Sequence, residues 1–174
     1  MPYGSNLRAL ASTLVLAALF SVSLVTNAWA IAGVDFPAEG DIDFTPAHEA
    51  IDQGNFTEAI DFLEIEILEW YPDNAEALNL KAYSLRNMGK LSEALKFYNR
   101  ALEADPEHQG ALEYQGELFL QMGNRAAAEA NLTKLVGLCP RGCDAHEELQ
   151  AAIERFKDGK VSWIKPTDKQ QAGG

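Results

Sequence analysis

Apolar residues recur along this chain at helical spacing, and the helices they predict come in pairs. Leu78, Ala82 and Leu85 stand at i, i+4 and i+7, one face of a helix. Gly89 ends that helix. Residues 92–102 begin an antiparallel partner in which Ala94, Tyr98 and Ala101 repeat the spacing. Leu112, Gly116 and Phe119 copy the first pattern; after Gly123, Ala128, Leu132 and Leu135 copy the second. Beyond Pro140, Leu149 and Ile153 mark one further helix over 144–156.

The punctuation is periodic too. Pro72, Pro106 and Pro140 stand 34 residues apart, and Gly54, Gly89 and Gly123 stand 35 and 34 apart. Self-similarity at this period means stacked helix–turn–helix units. Proline closes each unit because it cannot continue a helix inside the preceding turn. Ala82, Gly116, Ala59, Ala94 and Ala128 are small where two helix backbones are expected to approach closely. The first unit is looser. Its glycine-to-proline distance is one residue longer, which predicts a bulge or register change over 64–66. Thr45-Pro46 is expected to open the first helix as N-cap and first-turn proline. These residues resemble the tetratricopeptide repeat family, whose unit has 34 residues, a small residue midway along each helix and a terminal proline. Leu78 and Leu112 stand where that family carries a large aromatic. The resemblance implies an all-α fold: an α-solenoid of three helix pairs plus a C-terminal capping helix, over residues 45–156.

Stacked pairs of this kind curve, with the first helix of each pair on the concave side. Asn79, Tyr83, Arg86 and Asn87 of the second unit are then expected to face a groove. So are Glu113, Tyr114, Glu117 and Gln121 of the third, with His48 and Asp52 as weaker candidates from the first. Tyrosine offers rigid contact area and asparagine can read a peptide backbone, so a protein or peptide partner is expected. A solvated helix face is the plainer alternative. Glu113 and Glu117 would repel a carboxylate, so a basic or amide-rich peptide suits the groove better than a C-terminal carboxylate.

The leader adds a compartment. Residues 1–30 hold no acid and one base, Arg8, then an apolar run from Ala9 to Val25 and the small-x-small sequence Ala28-Trp29-Ala30. That order reads as a secretory signal peptide cleaved after Ala30, in a bacterial protein that is periplasmic or secreted. An uncleaved anchor is the alternative. Residues 31–44 read as a linker. Residues 157–174 read as a flexible tail in which Val161-Ser162-Trp163-Ile164 is unusually apolar. A net charge of −12, from 26 acidic and 14 basic residues, argues against nucleic acid and anionic lipid partners.

Cys139 and Cys143 bracket Pro140, and two cysteines in an oxidising compartment are expected to pair as a disulfide. The competing reading adds His146, one helical turn on, to make a Cys139, Cys143 and His146 metal site in a metal-handling accessory protein. Self-assembly into a homo-oligomer through exposed repeat ends is a third possibility. No phosphate loop, nucleophile elbow or paired-histidine zinc motif is present, so neither an enzyme nor a cofactor is expected.

Overall fold

Each glycine of the periodic set becomes the turn of a helical hairpin in the computed structural model, which describes residues 42–157. The helices are α1 (Thr45–Asp52), α2 (Phe56–Phe62), α3 (Ala75–Asn87), α4 (Leu91–Ala104), α5 (Gln109–Gln121), α6 (Arg125–Leu138) and α7 (Asp144–Lys157). Among the described residues there is no strand, and no helix is long and apolar enough to cross a membrane. The expected signal peptide, most of the linker and the Trp163 segment lie outside the described residues.

The turns follow one recipe. Gly54, Gly89 and Gly123 take φ of 75°, 79° and 76°, a left-handed conformation that costs glycine nothing. In each case the next amide reaches back five residues: Asn55 N to Ala50 O (2.8 Å), Lys90 N to Leu85 O (2.9 Å) and Asn124 N to Phe119 O (2.7 Å). These bonds satisfy carbonyls that the helix end would orphan. Helix starts are capped as regularly. Asn74 Oδ1 accepts from Ala77 N at 2.9 Å, and Asn124 Oδ1 accepts from Ala127 N at 3.2 Å. At α5 the cap is a histidine: His108 Nδ1 accepts from Ala111 N at 3.2 Å. The start of α1 differs from expectation. Phe44 holds the N-cap position and Thr45 is already helical, because Asp43 Oδ1, not the threonine hydroxyl, takes the Thr45 amide at 2.9 Å.

The one-residue excess of the first unit is absorbed where the spacing predicts. After Phe62, α2 runs without a break into a π-helical segment, Leu63–Leu68. It is closed by a five-residue bond from Glu69 N to Glu64 O at 3.1 Å. A π turn holds one residue more than an α turn, so Leu63 and Ile67 both stay in the core. It also brings Glu64 to Lys81 on α3, with Nζ 2.6 Å from Oε1. The Lys81 ammonium lies 3.8 Å from the centre of the Phe97 ring on α4.

The core alanines Ala59, Ala82, Ala94 and Ala128 are fully buried, as are Leu78, Tyr98 and Leu112. Gly116 is small for a different reason from the one the sequence suggested. It faces a side chain rather than a helix backbone: a Cβ placed there would lie 2.6 Å from the methyls of Leu149 on α7. Leu149 and Ile153 thus seat α7 on the last repeat, packed with Leu112, Leu120 and Leu135. Cys139 and Cys143 form a disulfide, with Cα atoms 5.8 Å apart, across the turn between α6 and α7.

Candidate functional site

Glu76, Asn79, Tyr83, Arg86 and Asn87 occupy one face of α3, spaced at i, i+3, i+7, i+10 and i+11. Along α5, Glu113, Tyr114, Glu117 and Gln121 form the facing stripe. Two contacts join the helices directly. The rings of Tyr83 and Tyr114 meet at 4.9 Å with a 57° tilt. Arg86 Nη1 donates to Glu117 Oε2 at 2.6 Å. The guanidinium also lies over both rings, 5.3 Å from Tyr83 and 5.7 Å from Tyr114, so tyrosines, arginine and carboxylate make one cluster.

Burial in the cluster is uneven. Arg86 is only 4% exposed, and Asn79 and Glu113 are buried beside it, so these three belong to the joint as much as to any open surface. Tyr83, Asn87, Tyr114, Glu117 and Gln121 are half-buried. Burial pushes both tyrosine hydroxyls above their usual pKa, which keeps them protonated donors and acceptors. Burial opposes the Arg86 charge, but Tyr98 and Glu117 outweigh it and hold the guanidinium ionised.

The amides are already oriented. Asn87 Nδ2 donates to the Tyr83 carbonyl of its own helix at 2.8 Å. Asn79 Nδ2 donates to Glu76 Oε2 at 3.3 Å, while Asn79 Oδ1 is buried with no hydrogen-bond partner. Gln121 carries a buried Oε1 in the same condition. His48 is exposed on α1, with Nε2 4.0 Å from Glu76 Oε1, and Asp52 is exposed at the end of α1.

Glu76 and His108 were not among the sequence candidates, yet they tie the two stripes together: His108 Nε2 lies 2.9 Å from Glu76 Oε2. That bond raises the imidazole pKa above the usual histidine value, with burial opposing it. The signal was present, since His108 stands 34 residues after Asn74, the cap of α3. The metal reading loses its ligands. Both sulfurs of Cys139 and Cys143 are spent in the disulfide, which leaves His146 alone.

This architecture of stacked antiparallel helix pairs defines a repeat scaffold. Residues 45–109 match the model of the tetratricopeptide repeat, and the chain belongs to that family. It is 26% identical over 122 residues to the protein CTR9 homolog of Arabidopsis thaliana, an overlap of 61% of this chain and only 11% of that protein. A tetratricopeptide repeat protein of Parabacteroides merdae superposes with a TM-score of 0.56 at 25% identity, over 67% of this chain and 44% of the other. The type III secretion translocator chaperone SycD of Yersinia enterocolitica superposes at 0.58 over 68% of this chain and 92% of its own, and at 17% identity that likeness concerns the fold alone. The repeats make the chain a protein–protein interaction module.

Proposed function

We propose that this is an exported, non-catalytic scaffold that captures a peptide or protein segment on the face shared by α3 and α5. The observation that carries the reading is the Tyr83–Tyr114 pair, pinned across two repeats by Arg86 and Glu117. Aromatic rings held rigid before a partner arrives lose little freedom on binding, and they are the commonest anchors of protein interfaces. The leader supports export to the periplasm or beyond.

Capture from a periplasmic extract, with the wild-type chain beside a Tyr83→Ala/Tyr114→Ala variant, tests the surface. A partner retained by the wild type and lost from a variant of unchanged circular dichroism is the expected result. Equal retention by both would remove the α3–α5 face from the function. Amino-terminal sequencing of the exported chain tests the compartment, with Ile31 the expected first residue.

A further inference from the structure

The hydrogen-bonding groups on the α3–α5 face are spent unequally. Its α3 nitrogens are committed within the protein: Asn79 Nδ2 to Glu76, Arg86 to Glu117, and Asn87 Nδ2 to the Tyr83 carbonyl. Neither asparagine can reverse its amide. Turning Asn79 would set its oxygen against the Glu76 carboxylate, and turning Asn87 would set oxygen against a carbonyl oxygen. What remains are acceptors. Asn79 Oδ1 has no partner on a side chain 98% buried, since the residue is 2% exposed. Asn87 Oδ1 is likewise left over, as is the second oxygen of Glu117, whose first is taken by Arg86. The carboxylates Glu76, Glu113 and Glu117 face one guanidinium, so the charge there is also unbalanced towards the negative.

A ligand for such a face must bring donors and positive charge. Arginine brings five N–H groups and no acceptor, in a planar fork matched to carboxylate oxygens. The spacing fits an extended chain. Asn79 and Asn87 are eight residues apart on α3, about 12 Å along the axis, which is the reach of about four residues of extended peptide. Glu117 pairs with Arg86 and Tyr114 with Tyr83, so both lie between those two asparagines.

We propose that the α3–α5 face selects an extended peptide bearing an arginine. The guanidinium sits on the Glu117 carboxylate beside the tyrosine pair, and flanking backbone N–H groups meet the side-chain oxygens of Asn79 and Asn87. This rests on the reading of the face as a peptide-capture surface.

Amide chemical shifts of the full chain, titrated with alanine peptides capped at both ends and carrying one central residue, provide the test. Central arginine is expected to shift Tyr83, Asn87 and Tyr114 and to bind about tenfold more tightly than central citrulline, which keeps the shape and loses the charge. Central glutamate is expected not to bind. Asn87→Ala, at a half-buried site whose loss leaves the core intact, is expected to weaken the arginine peptide several-fold, and Asn79→Leu is expected to do the same. Glutamate binding as well as arginine, or affinity unchanged in both folded asparagine variants, would overturn the proposal. A pool of random peptides separates the two levels. Non-cationic peptides that shift the tyrosines would sink the arginine assignment and leave peptide capture standing, whereas no response to any peptide would sink both.

Discussion

Helix α5 makes two joints of opposite chemistry. On one side it meets α3 through an ion pair, a tyrosine pair and the His108–Glu76 bond. On the other it meets α7 through a glycine notch filled by a leucine, sealed by Ile153 and Leu135. The apolar joint closes the array: it needs nothing from outside, and the disulfide ties its turn. The polar joint ends with acceptor oxygens still unspent. A solenoid needs only apolar contacts between its repeats, so polar groups held at one joint mark where something beyond stacking is asked of the fold.

The sharpest way to break that contrast is to remove half of the buried pair. Glu117→Ala strands the Arg86 guanidinium in the joint, and unfolding by urea is expected to show a loss of about 3–5 kcal/mol. Leu149→Ala attacks the other side by emptying the Gly116 notch, at about 2–5 kcal/mol in the same measurement. If Leu149→Ala also left arginine-peptide affinity unchanged, the two joints would be functionally separate, as the contrast requires. Replacing Cys139 and Cys143 together by alanine opens a very small loop and is expected to cost about 2 kcal/mol, read as a lower urea midpoint that matches wild type treated with reductant.

The smallest effect is the one with a pH signature. His108 has a raised pKa, so the stability it contributes through Glu76 is fully present below its unfolded value of 6.5 and is lost as pH rises through the folded value. His108→Asn keeps a capping acceptor and loses that bond. Its melting temperature should fall below wild type at pH 5–6 and approach it by pH 8–9, by a few degrees at most. A constant difference across that range would show that the cap, and not the Glu76 bond, is what the histidine supplies.

Much of this was legible from the chain alone. Period, turns, helix pairing and the position of the π segment follow from glycines, prolines and a single surplus residue, because each acts through the backbone within a few positions of itself. The pairing inside the joint was not legible. Tyr83–Tyr114 and Arg86–Glu117 are both 31 residues apart, about one helical turn short of the 34-residue period. That offset comes from how one repeat leans on the next, so aligning equivalent positions sets Arg86 beside Leu120 and hides its carboxylate. The role of Gly116 was misread for a related reason: its contact comes from a helix outside the repeats that defined the pattern.

The π segment of α2 bears on how the gene can change. One codon added within a regular helix rotates every later side chain by about 100°, enough to turn a core face to solvent. Here the surplus is retained inside Leu63–Leu68, and from Pro72 onward the 34-residue phase of the prolines is unaltered. The first repeat therefore works as a buffer for length. Insertions or deletions there can come and go over generations while the Tyr83 and Tyr114 surface keeps its register.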